Sequence, residues 1–217
     1  MKDFPVFTTE FGVASLSLKQ IPYRGEAYIH LQSCLEEDRE KLIAECAAFC
    51  HLAGAEKVYV TPAKGDGDFQ ILLLRGVPIL NEEDVENIFP VTEQTVGEFR
   101  KIANKRLRTV DLAAMLEKKD EEEILSSGGA YFIHRAGTLL GIGWLQGDKL
   151  KLIASVVPGE GYTVAQTLLS VQPGQSICLE VASTNAKALR LYERLGFLPV
   201  QALETWEEAK AGPSANA

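Results

Sequence analysis

The sequence predicts an α+β protein built on a mixed sheet, and three observations predict it. The second half reads helix, helix, three strands joined by glycine turns, then helix, strand, helix, strand. Its last helix has Ala188, Leu191, Tyr192 and Leu195 at i, i+3, i+4, i+7 and stops at Gly196. The first half has its own strand–helix–strand, with Leu42, Cys46, Phe49, Cys50 and Ala53 at helical spacing between residues 38 and 53.

Two strands are expected near residues 11–20 and 27–32, separated by a turn at Tyr23-Arg24-Gly25-Glu26. The helix over residues 38–53 has Asp38 at its start and Gly54 just past its end, as end preferences require. Residues 57–61, KVYVT, have the composition of a buried strand, and residues 69–74 form another after a Gly- and Asp-rich loop. A short strand is expected at residues 89–92. A helix follows at 95–106, with Val96, Phe99, Ile102 and Ala103 on one stripe. A second helical stretch at 111–125 is interrupted by the charge run from Lys118 to Glu123, read as a solvated face. Strands at 130–135, 138–145 and 149–157 turn at Gly137 and at Gly147-Asp148. A helix at 163–172, a strand at 176–182, a helix at 185–195 and a strand at 198–206 complete the order. This divides the chain into an N-terminal α/β unit (1–85), a second domain (86–206) and a disordered tail (207–217).

The 217 residues suffice for one large domain or two small ones. No run of about 18 apolar residues occurs, so no membrane span is expected. The N-terminus has no apolar stretch ending in a small-residue cleavage site, and a cytoplasmic protein is expected. The net charge of −8 argues against nucleic acid as a partner and suits a cationic substrate or plain solubility. Cys46 and Cys50 share a helix face, but no second Cys or His pair stands at zinc-site spacing. With Cys34 and Cys178 they read as reduced thiols, and no metal is expected. His30, His51 and His134 are isolated and suggest no triad.

The segment Asn185, Ala188, Leu191, Tyr192, Glu193, Gly196, Phe197 fits the pattern N-x-x-A-x-x-L-Y-E-x-x-G-F. It resembles the C-terminal signature of the GNAT N-acetyltransferases. The resemblance covers residues 88–206 most clearly. It implies the acyl-CoA N-acyltransferase fold, with residues 11–74 as a degenerate GNAT-like half or an unrelated α/β extension. It further implies direct transfer of the acetyl group of acetyl-CoA to a primary amine of a small molecule or protein N-terminus. On this resemblance Tyr192 is the general acid that protonates the departing thiolate, and Asn185 lies near the cosubstrate. Taken alone, a tyrosine on an apolar stripe is ordinarily core. Glu180 alternates against Leu179 and Val181 on the preceding strand. The resemblance makes it a candidate base for the amine, where the residues alone allow a solvated carboxylate.

The stretch Ser155-Val156-Val157-Pro158-Gly159-Glu160-Gly161-Tyr162-Thr163-Val164-Ala165 resembles the strand, loop and helix start that hold acetyl-CoA in the family. Ser155, Val156 and Val157 would pair with the pantetheine arm as a free edge. Gly159, Gly161, Tyr162, Thr163, Val164 and Ala165 would line the phosphate loop, where glycines allow close approach to a helix N-terminus. The pattern departs at Glu160, which stands where the family has Arg or Gln, and at Tyr162 and Thr163, where it is usually basic and glycine. A carboxylate beside a diphosphate is unfavourable unless it turns away. Asn104 and Arg106 would border the acceptor groove by analogy of fold. Exposed edges in such folds often pair, so a homodimer is allowed. The alternative is a catalytically degenerate CoA-binding or protein-interaction domain.

Overall fold

The helix periodicities in the sequence convert directly into buried faces. The structure, a computed structural model, describes residues 5–108, 110 and 113–209. These divide into two compact units, Met1–Gln70 with Glu204–Ala217, and Ile71–Leu203.

In the first unit, β1 (Val6–Thr9), β2 (Gly12–Ser17) and β3 (Glu26–Cys34) are antiparallel neighbours. The sequence pattern had no signal for β1. The turn expected before β3 is a single helical turn, α1 (Ile21–Arg24), closed by Gly25 at φ 67°. Then α2 (Arg39–Leu52) crosses to β4 (Lys57–Thr61), which runs parallel to β3. Leu42, Ile43, Cys46, Ala47 and Cys50 of α2 are buried against Ala14, Leu16, Ile29, Val58 and Val60 of the sheet. Phe49, expected on that stripe, is 41% exposed and instead meets Phe7 of β1 at the margin, ring centroids 5.3 Å apart. Gly54 ends α2 at φ 99°, with Ala55 N–H donating to Cys50 O and Gly54 N–H to His51 O. Rings cluster among Tyr28, Tyr59, Phe69 and Trp206, with Tyr28 stacked on Tyr59 and Phe69 on Trp206.

The second unit contains residues from β5 (Phe69–Gly76) to the first part of β11 (Leu198–Glu208). Its other strands are β6 (Asn87–Pro90), β7 (Ala130–Arg135), β8 (Thr138–Gln146), β9 (Lys149–Ser155) and β10 (Ile177–Ala182). Their order is β5-β10-β9-β8-β7-β6, antiparallel throughout except for β9 beside β10. One core holds α3 (Val96–Leu107) and α4 (Asp120–Ser127), with Phe99, Ile124, Ile142 and Trp144 buried. The other holds α5 (Gly161–Leu169) and α6 (Ala186–Arg194), with Val164, Leu168, Leu179, Tyr192 and Phe197 buried. Burying each large apolar side chain contributes roughly 1.5–3 kcal/mol. α5 lies close on β8 because Gly143 has no side chain: a Cβ there would stand 2.3 Å from Leu168 Cδ2.

The helix expected at 111–125 begins later. Residues 111 and 112 lie outside the described residues, and residues 113–117 are not helical. The Asn104 amide holds this stretch off the helix, donating to Leu116 O and accepting from Leu116 N–H, each at 2.8 Å. The acidic run expected to interrupt the helix is its first turn, Asp120 to Glu123, where negative charge favours the helix dipole. Of the expected tail, Glu207 and Glu208 continue β11, pairing with Val60 and Tyr59, and Ala209 N–H donates to Val58 O. Residues 210–217 lie outside the described residues. Among the described residues no helix is long and apolar enough to cross a membrane, and no metal-binding group of His, Cys, Asp and Glu occurs.

Candidate functional site

The site is built where β9 and β10 part. These parallel strands pair only at Cys178↔Lys149 and Leu179↔Leu150. Beyond that point β9 follows β8, up to Gly141↔Ser155, while β10 follows β5, up to Ala182↔Ile71. Lys149, in the first of these pairs, donates from Nζ to Oε1 of Glu180, the first residue of β10 past the last pair, at 2.5 Å. Glu180 is exposed, and alternation sets it on the opposite face from Leu179 and Val181.

Tyr192 packs with Leu179 and Val181, and its ring meets Phe197 edge-on at 6.0 Å. Glu180 and Tyr192 are therefore not brought to one face of the sheet. Tyr192 is the buried residue of α6, and burial pushes its phenol up to about 12. A phenol is protonated at neutral pH with or without this shift, as a proton donor must be. The end of α6 at Gly196 is as the sequence predicts, and at its start Asn185, which the resemblance implies near the cosubstrate, caps the helix. Asn185 Oδ1 accepts from Ala188 N–H at 3.2 Å. Gly196 stands at φ 89°, with Phe197 N–H donating to Tyr192 O.

At Ser155–Val157, expected as a free edge, the backbone N–H groups turn toward β8, the neighbour of β9 on the side away from β10. Val156 and Val157 N–H both donate to Leu140 O, at 2.7 and 3.4 Å. Arg106 Nη2 donates to Val156 O at 2.5 Å, and Ser155 Oγ donates to Val157 O. Arg106 therefore reaches the end of β9, where sequence reasoning placed it only beside an acceptor groove.

The loop then turns at Gly159, φ 89°, into α5, whose N-terminus has no side-chain cap. A Cβ at Gly159 or Gly161 would meet nothing within 4 Å, so the outer surface of the loop is open. Tyr162 turns away: Arg194 lies 3.7 Å over its ring, and its hydroxyl accepts from Gln166 Nε2. The side chains of Val164 and Ala165 lie in the core, and Val164 N–H donates to Glu160 O. Glu160 is at the N-cap position. Its carboxylate accepts from Arg135 Nη1 and Nη2 at 2.8 and 3.1 Å, and Arg135 Nε donates to Glu86 at 2.6 Å. The hydrogen bonds from Arg135, and secondarily from Thr163, hold the Glu160 carboxyl below its usual range. Arg135, read from sequence as part of a surface hairpin, is the residue that reasoning missed. Its partner stands 25 residues away with no local signal between them.

No protein-family model and no curated protein matches the sequence. Among solved structures, the chain is similar to a functionally unknown conserved protein from Staphylococcus epidermidis, with 12% identity, 95% of this chain and 93% of that one covered, and a TM-score of 0.54. It is similar to a GCN5-related N-acetyltransferase from Kribbella flavida, at 12% identity over 93% of this chain and 58% of that one, TM-score 0.52. A GCN5-related N-acetyltransferase from Anabaena variabilis gives 9% identity over 84% and 53%, TM-score 0.52. At such identities the likeness is one of fold. With its mixed sheet between helical layers and its parallel strands parting beside α5 and α6, the chain has a GNAT-like α+β fold.

Proposed function

We propose that this chain is an N-acyltransferase that moves the acetyl group of acetyl-CoA directly to a primary amine. The observation that carries the reading is the parting of β9 from β10 after two residue pairs, with Tyr192 buried in the cluster that holds Leu150 and Leu179 of the last pair. The residues fit the cosubstrate. Gly159 and Gly161 leave the loop surface open, α5 has no side-chain cap, and the Glu160 carboxylate is held by Arg135, which also pairs with Glu86. Gly159, Gly161 and Thr163 would face the phosphates through backbone groups, and Ser155 to Val157 would flank the arm.

In the reaction the amine nitrogen attacks the thioester carbonyl and the C–S bond breaks. The sulfur takes a proton from Tyr192, and the proton shed by the amine restores the phenol through solvent. A base role for Glu180 requires Lys149 to release its carboxylate. The net charge of −8 favours approach of a cationic acceptor.

Titration calorimetry with CoA, followed by thiol release from acetyl-CoA with a panel of amines, tests the reading. Absence of binding at millimolar CoA sinks it. A second reading, a catalytically degenerate domain of this fold, is favoured by the bond from Arg106 to Val156 O along the expected edge. It predicts no thiol release with any amine, and a Tyr192→Phe variant altered in stability alone.

A further inference from the structure

We propose that Arg135 is a phosphate-binding residue of the donor site and that Glu160 is an internal anion that competes for it. The inference rests on the acyl-CoA reading above. A guanidinium offers the same planar fork to a carboxylate and to a phosphate, so one group can exchange for the other at the same donors. Glu160 now holds that fork bidentately, at the first turn of α5, where the loop is open on its outer side.

The arrangement suits exchange better than a permanent strut. Arg135 keeps a second hold when Glu160 leaves, because Nε is bound to Glu86. Glu86 is itself fixed to α5, its N–H donating to Thr167 Oγ1 at 3.0 Å. Glu160 lies at the N-cap position of α5 beside Gly159, so its side chain can swing into water by giving up the bonds from Arg135 and Thr163 while its backbone carbonyl keeps the bond from Val164 N–H. Glu86, Arg135 and Glu160 together carry one net negative charge. Displacing Glu160 exchanges one anion for another at Arg135, so the cradle is not left with an unpaired cation in either state.

Calorimetric titration with two probes, CoA and phosphate-free pantetheine, tests this on the full chain. Glu160→Gln is expected to bind CoA about tenfold more tightly than the parent, because a competing charge-assisted contact is gone. Arg135→Gln is expected to bind about tenfold more weakly, and the double variant should fall about tenfold below Glu160→Gln. Pantetheine affinity should be the same in all four proteins. Thermal melts check that each variant is folded. If Glu160→Gln binds CoA no more tightly than the parent, the competition is overturned. If pantetheine affinity moves in parallel with CoA, the ion pair is a structural strut and the inference fails. If neither the parent nor Glu160→Gln binds CoA at millimolar concentration, the acyl-CoA reading falls and takes this inference with it.

Discussion

Each unit of the molecule has a strand, a helix and a parallel strand in succession, and the two differ in how far the parallel strands stay together. In the first unit β3 and β4 pair over five consecutive positions, Glu26↔Lys57 to His30↔Thr61. In the second, β9 and β10 pair over two and then part. The crossover helix α2 buries two thiols against its sheet, and the crossover helix α5 buries Val164 and Leu168 against its own, while the buried phenol of Tyr192 comes from α6, which follows β10. A βαβ crossover is thus a scaffold that is sealed or open according to which neighbour each strand follows beyond the first pairs.

Substitutions should separate the two, most widely at the hydroxyls and thiols. Tyr192→Phe should lower the rate of acyl transfer by roughly 10²–10⁴-fold with CoA affinity held within about twofold, as expected for loss of a general acid. Steady-state kinetics beside calorimetry checks this, and an equal loss in both would make Tyr192 a binding residue instead. In the sealed unit the corresponding large effect is on stability. Leu42→Ala removes a fully buried side chain under the sheet and should cost about 2–5 kcal/mol in urea unfolding. In the open unit, Gly143→Ala should cost about 1–3 kcal/mol, since its Cβ would overlap Leu168 and force α5 away from β8.

Alkaline pH gives a smaller effect that is shared between the units. Burial raises Cys46 to about 12, Cys50 to about 11 and Tyr192 to about 12. In the unfolded chain thiols titrate near pH 9 and tyrosine near pH 10. The folded state therefore keeps its protons longer, and the stability they contribute is complete below pH 9. It should fall as pH rises from 9 through 12, the thiols of the sealed unit acting first and Tyr192 above pH 10. Chemical denaturation repeated across that window should show the loss begin earlier in the parent than in a Cys46→Ala, Cys50→Ala variant. The smallest effect is at the start of α6. Asn185→Ala should cost about 1 kcal/mol by leaving Ala188 N–H uncapped.

Much of the fold is legible in the sequence where the signal is local. Gly54 and Gly196 each stop a helix in the left-handed conformation expected of them. The apolar stripe that names Leu42, Cys46 and Cys50 is the buried face of α2. Legibility ends where a partner is distant. Phe49 fits the stripe by spacing yet lies at the margin, since β1, which has no pattern of its own, supplies Phe7 there. The helix before β7 begins late because a side chain from α3, Asn104, takes the backbone bonds of Leu116.

The sequence by itself determined α6, from its Asn185 cap to its Gly196 stop, with Tyr192 on its inner face. Those features depend on spacings within a few turns of one helix, where periodicity and end chemistry act. Only the tertiary structure decided the rest of the site: strands that part after two pairs, Arg106 on Val156 O, and Arg135 on Glu160. Arg106 and Arg135 stand 50 and 25 residues from their partners, so packing of the helices and the hairpin on the sheet brings the charges together.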